Sequence, residues 1–135
     1  MTGDDEKLRL RAARTWANWE ASIMNLIPDP NAIHKMTDEH SALAIGRIEC
    51  HYTLNKFFLE HDNYILDNAD RIKDIPVYIV QGRYDIICPM ISAWELHKAL
   101  PQSKLVIVPD GSHSPLDDSM ARELVKATEG FKKPY

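Results

Sequence analysis

The sequence predicts an α/β protein in which helices come first and a parallel strand–helix–strand–helix unit follows. Three observations predict it. Apolar residues recur at helical spacing in the first half, from Ala12 to Leu26 and again from Ala42 to Tyr52. Two short β-branched runs, Val77-Tyr78-Ile79-Val80 and Leu105-Val106-Ile107-Val108, show no polar alternation, the pattern of parallel strands covered on both faces. The composition shifts at Asp74-Ile75-Pro76, dividing a helical segment, residues 1–73, from a strand-bearing one, residues 74–135.

Asp4 or Thr2 is placed to cap a first helix whose first turn holds Asp5 and Glu6, acids that complement the helix dipole. Ala12, Trp16, Trp19, Ile23 and Leu26 follow at spacings of 4, 3, 4 and 3, which predicts a buried stripe. Pro28-Asp29-Pro30 ends that helix, because proline has no N–H to donate. Thr37 is the expected cap of the next helix, ahead of Asp38 and Glu39. Its stripe, Ala42, Ile45, Glu49 and Tyr52, places a carboxylate among apolar neighbours. Residues 57–72, with Phe57, Phe58, Tyr64, Ile65 and Ile72, read as a third, less regular helical stretch. Between the strands, Ala93, Leu96 and Leu100 with Trp94 make an amphipathic helix, and Met120, Leu124, Ala127 and Phe131 make the last. The strand–helix–strand unit is expected to be a right-handed crossover with the last helix packed behind it. Trp16, Trp19 and Trp94 are read as core.

The 135 residues hold 20 acids against 16 bases, a net charge of −4, and the length suits one domain of roughly 100–200 residues. Mild acidity without a basic cluster argues against nucleic acid and anionic membranes as partners. No segment approaches the ~18 consecutive apolar residues of a spanning helix. The acids of MTGDDEKLRL argue against a secretory signal. Cys50 and Cys88 are too few for a disulfide framework and lack CxxC spacing, so a reducing cytoplasm is the expected compartment. His34, His40, His51, His61 and His97 do not stand at metal-ligand spacing with carboxylates. Neither a metal nor an organic cofactor is expected.

Each strand run is followed by a polar turn, Gln81-Gly82-Arg83-Tyr84-Asp85 and Asp110-Gly111-Ser112-His113-Ser114. Sites in open parallel sheets form at the carboxyl ends of strands, so Asp85 and His113 are expected to project from neighbouring strand ends. An acid bonded to one imidazole nitrogen fixes the tautomer and leaves the other nitrogen as a base. Acid before histidine is also the chain order of α/β-hydrolases, whose serine lies earlier. The alternative reading makes Asp85 a turn cap and His113 a solvated loop residue, since such turns are rich in polar residues anyway. Cys88, just before Pro89, is expected near the site as a buried structural thiol.

IPVYIVQGRYDIICP, AWELHKALP, KLVIVPDGSHS and LVKAT resemble the C-terminal region of the proline iminopeptidases (prolyl aminopeptidases), serine peptidases of α/β-hydrolase fold. TGDD, AARTWANWEASIMNLIPDP and ALAIGRIECHY resemble their helical cap, so the resemblance spans essentially the whole chain. It implies a helical cap segment at residues 1–73 and the C-terminal part of an α/β-hydrolase core at residues 74–135. It further implies that Asp85 and His113 are the second and third members of a Ser-Asp-His triad. By the same resemblance Glu20, of the WE motif, and Glu49, of the RIE motif, recognise the cationic imino end of a peptide that begins with proline. Read alone, Glu20 is a boundary-face residue about as often as a ligand; Glu49, on its stripe, needs a partner.

The sequence also departs from the family. Thr53 stands where an aromatic is common, Cys50 where asparagine is usual, and Ser112 where glycine precedes the histidine. No serine here has the flanking glycines of a nucleophile elbow. The chain is therefore expected to be a C-terminal part of the enzyme, inactive alone, and prone to self-association or to pairing with an N-terminal half. Two other readings stay open: a hydrolase of neutral esters or epoxides, which paired glutamates disfavour, and a non-catalytic interaction module.

Overall fold

The computed structural model describes residue 1 and residues 3–132. Its elements are α1 (Glu6–Ile23), α2 (Pro30–Thr37), α3 (Glu39–Leu54), α4 (Tyr64–Asp67), β1 (Tyr78–Gly82), α5 (Met90–Ala99), β2 (Lys104–Val108) and α6 (Asp118–Gly130), with short 3-10 turns at Lys56–Phe58 and Ala69–Ile72. The chain divides into two compact units, residues 1–23 with 27–60, and residues 24–26 with 61 onward. Residues 61–73 thus group with the strands, whereas the composition shift lies at 74–76.

In the first unit α1 begins under Asp5, whose carboxylate accepts from the Leu8 amide at 3.0 Å. The cap is Asp5 rather than Asp4, and Thr2 lies outside the described residues. The buried line of α1 is Ala13, Ala17 and Ala21, not the expected tryptophan stripe: Trp16 and Trp19 are 38% and 52% exposed, and Leu26 is exposed too. Small side chains win the buried face because α1 packs against α2 and α3. Ala13, Ala17 and Ala42 form the core there, and Gly46 of α3 is also buried. A Cβ on Gly46 would stand 3.3 Å from the Ala13 Cβ, so neither helix has room for a larger residue at that crossing.

The tryptophans instead stack on each other, with ring centroids 5.3 Å apart. The helix α2 has no counterpart in the sequence reading. Asp29 caps it by accepting from the Asn31 amide, and Pro30 takes its first position, where no donor is needed. Proline both stops one helix and starts the next.

Asp38, not Thr37, caps α3. One Asp38 oxygen accepts from the His40 and Ser41 amides at 3.0 and 3.2 Å. Thr37 closes α2, its hydroxyl donating to the Ile33 carbonyl. After α3, Lys56, Phe57 and Phe58 all adopt positive φ, 50°, 54° and 60°, so the expected helix over 57–72 is broken into short pieces. Asn68 ends α4, its side-chain amide donating to the Tyr64 carbonyl and competing with the backbone.

In the second unit β1 and β2 pair in parallel, from Tyr78↔Lys104 to Gly82↔Val108. Both α5 and α6 pack on the two strands. The strands are mostly half-buried rather than fully covered. Trp94, expected in the core, is exposed, as is Phe131, whose ring meets Tyr78 edge-on at 4.9 Å. No helix among the described residues is long and apolar enough to cross a membrane.

Hydrogen bonds from the Ser41 hydroxyl and amide hold the Asp38 carboxyl below its ordinary value of 3.8, against a smaller desolvation effect. A carboxyl lowered on folding stabilises the fold above its unfolded pKa, and that contribution fades as pH falls through the folded value. Asp38→Ala should therefore lower the melting temperature at pH 7, with the deficit shrinking towards pH 2. Asp38→Asn keeps the acceptor and should lose this acid dependence. Thermal melts followed by circular dichroism check it; an Asp38→Ala deficit equal at both pH values would contradict it.

Candidate active site

The site is built where the two strands end. The Gly82↔Val108 pairing continues into the loops: the Arg83 amide donates to the Val108 carbonyl and the Tyr84 amide to the Gly111 carbonyl, both at 3.0 Å. So close an approach excludes a side chain on residue 82. A Cβ there would lie 2.1 Å from the Ser112 carbonyl oxygen, and one on Gly111 would lie 2.9 Å from Val108 Cβ. With the loops in register, Asp85 and His113 meet. His113 Nδ1 lies 3.1 and 3.0 Å from the two Asp85 carboxylate oxygens.

Asp85 is held from its own loop as well. Its Oδ1 accepts from the Ile87 and Cys88 amides at 3.0 and 2.7 Å, and its side chain is only 8% exposed. A buried carboxylate needs such partners to offset lost hydration. The Gln81 side chain donates to the Cys88 carbonyl at 3.1 Å and pins the same loop.

The histidine loop has two anchors. A helix continued past Met24 would aim that carbonyl at residue 28, a proline with no N–H. The Met24 carbonyl instead accepts from the His113 and Ser114 amides at 3.0 and 3.2 Å, and α1 stops at Ile23, short of Pro28. Ser112 supplies the second anchor. It is 1% exposed, and its hydroxyl donates to Asp117 Oδ2 at 2.5 Å. The side chain that departs from glycine thus ties the loop to the residue just before α6.

A carboxylate can only accept, so Nδ1 carries the shared hydrogen and Nε2 of a neutral imidazole is left as an acceptor. The His113 side chain is 25% exposed. The pair can take a proton at Nε2 while Asp85 steadies the resulting cation. Cys88 is exposed rather than buried as expected. Desolvation by its neighbours, and then the Asp85 charge, push its thiol above the ordinary value. Asp85, Cys88 and His113 each offer a donor atom, all within 4.8 Å of one another.

Glu20 and Glu49 belong to the first unit. Glu49 on α3 accepts from the Trp16 indole N–H of α1. Glu20 lies one turn beyond Trp16 on the same helix, and its Oε2 is out of solvent. The Glu49 carboxylate thus borders Trp16, and Glu20 follows Trp16 by one turn of the same helix. Trp16, expected in the core, is instead the partner of Glu49, and its place four residues before Glu20 is the one sign of this in the sequence. Ser112 and Asp117 were missed as anchors for want of any local pattern.

A family model described as TAP-like protein matches residues 42–127. The chain belongs to this α/β-hydrolase family. Among curated members of the wider group, a probable proline iminopeptidase of Leptolyngbya boryana is 48% identical over 131 residues, covering 97% of this chain and 41% of that protein. Proline iminopeptidases of Arabidopsis thaliana and Xanthomonas citri are 45% and 46% identical, over 98% and 97% of the chain and 35% and 42% of their own length. The chain thus spans about two fifths of these relatives. With its parallel strand pair and flanking helices, it is a partial α/β-hydrolase fold.

The close approach at residue 82 gives a stability prediction. Gly82→Ala should destabilise by about 1–3 kcal/mol, the usual cost of forcing an extra carbon into a packed site. Gly3→Ala, whose Cβ would meet nothing within 4 Å, should change little. Matching denaturant midpoints for the two variants would contradict the close approach.

Proposed function

We propose that this chain carries the acid–histidine pair of a serine-type aminopeptidase that releases N-terminal proline from peptides. One observation carries the reading: His113 Nδ1 lies within hydrogen-bond distance of both Asp85 oxygens, at the carboxyl ends of adjacent parallel strands. In this mechanism a serine hydroxyl attacks the scissile carbonyl and His113 Nε2 takes its proton. The histidine then passes the proton to the leaving amine, while Asp85 keeps the ring in the right tautomer and stabilises the imidazolium. None of the chain's own serines is flanked by glycines as an elbow requires, so the nucleophile is assigned to a segment outside these residues.

Glu20 and Glu49 supply the negative charge that a protonated imino terminus calls for, and Trp16 fixes the Glu49 carboxylate by its indole N–H. Neutral esters or epoxides have no use for that charge. The names of the relatives support the same substrate class. Free Cys50 and Cys88 support a reducing, cytoplasmic setting. A two-stranded sheet leaves an outer edge on each strand, which supports pairing with further strands from an N-terminal half or from a second copy.

A chimera tests the reading. This chain replaces the matching stretch of the Xanthomonas citri relative, and hydrolysis of a prolyl-amide is followed. Activity is expected in the chimera and not in the chain alone, and His113→Ala in the chimera should lower kcat by about 10⁶-fold. Substantial turnover by the His113→Ala chimera would overturn the assignment.

The glutamates give a separate test in the same chimera. Glu49→Gln should raise KM for the prolyl-amide by about ten-fold or more, the worth of a charge-assisted contact, and leave hydrolysis of an uncharged ester nearly unchanged. Equal losses on both substrates would make Glu49 a structural partner of Trp16 only.

A further inference from the structure

We propose that Asp85, Cys88 and His113 form a binding site for a thiophilic divalent cation, zinc above all, whose occupation takes His113 away from Asp85. The donor set is mixed: a carboxylate oxygen, a sulfur and an imidazole nitrogen, each within 4.8 Å of the others. Donors around tetrahedral zinc stand roughly 3.2–3.8 Å apart, given bonds of ~2.0–2.3 Å. The Asp85–His113 separations, 3.0 and 3.1 Å, are nearly at that spacing already, so only a small movement of the thiol closes the triangle.

The backbone preorganises two of the donors. Asp85 and Cys88 sit three residues apart in one turn, closed by the Cys88 amide on Asp85 Oδ1 at 2.7 Å, and the Gln81 amide holds the Cys88 carbonyl. His113 arrives from the facing loop, fixed by its own backbone bond to Met24. Sulfur and imidazole together select zinc over magnesium or calcium, which prefer oxygen alone. On binding, the thiol proton leaves to solvent, and the His113 ring stays neutral by carrying its hydrogen on Nε2 instead of Nδ1, which then faces the metal. The carboxylate and thiolate then balance the dication, and water takes the fourth position. Cys88 is exposed, so the cation has a way in.

The metal displaces the hydrogen that joins Asp85 to His113, so the same loops cannot hold zinc and an intact acid–histidine pair at once. That consequence for turnover rests on the peptidase reading; the site does not.

Zinc binding to the full chain is measured by competition with a chromophoric chelator, and cobalt is added separately to read the thiolate-to-metal charge-transfer absorption. One zinc per chain is expected. Cys88→Ala and His113→Ala should each weaken binding at least as much as loss of an outer-shell partner does, ~10-fold or more, while Cys50→Ala should leave it unchanged. The cobalt band should appear in the unaltered chain and in Cys50→Ala, and vanish in Cys88→Ala. No zinc binding, affinity undiminished in Cys88→Ala, or cobalt bound to the unaltered chain without the thiolate band would each overturn the site. None of these readouts involves turnover, so they separate failure of the metal site from failure of the peptidase reading.

Discussion

Residue 82 has no side chain, and the backbone at the end of β1 therefore runs against the loop that follows β2. A Cβ would overlap the Ser112 carbonyl, so a chain with any other residue here would have to part the two loops. Everything that brings Asp85 to His113 follows from that contact. The strand register ends at Gly82↔Val108, the next two amides extend the pairing into the loops, and the acid and the histidine emerge opposite each other. The remaining anchors fix an arrangement already decided: Met24 holds the histidine backbone, and Ser112 binds Asp117.

Asp85 shows how two readings of one residue can both describe the same atoms. Its Oδ1 closes a turn by accepting from the Ile87 and Cys88 amides, as a turn-capping aspartate does. The same carboxylate faces the imidazole. Turn formation does not compete with histidine binding here, because a carboxylate has about four acceptor positions. The turn is what stops the side chain from rotating away from the ring.

Much of this was legible in the sequence, and the exceptions share physical causes. The strands announced themselves as β-branched runs, and the polar turns after them marked the loops that carry Asp85 and His113. Periodicity failed on α1 because it scores hydrophobic bulk, whereas the closest helix contact selects the smallest residues; Ala13, Ala17 and Ala21 took the face expected for Trp16 and Trp19. Helix α2 leaves little sign in the sequence because Pro30, a helix stop in most settings, here takes the first position of a helix. Caps slipped by a residue, from Thr37 to Asp38 and from Asp4 to Asp5, because several neighbouring polar residues could serve and only geometry chooses. Bonds between distant residues, Trp16 to Glu49 and the Met24 carbonyl to the histidine loop, leave no local pattern to read.

The alanine seam between α1 and α3 has a mechanical consequence. An interface of Ala13, Ala17, Ala42 and Gly46 buries little carbon per contact, so its adhesion is modest while its spacing is tightly set. A single added methylene acts as a wedge between the helices, and the Trp16–Glu49 bond, which spans the same two helices within a turn of the seam, has to absorb the added separation. Sequence drift along the seam can therefore retune the placement of a carboxylate without touching any residue that bonds to it.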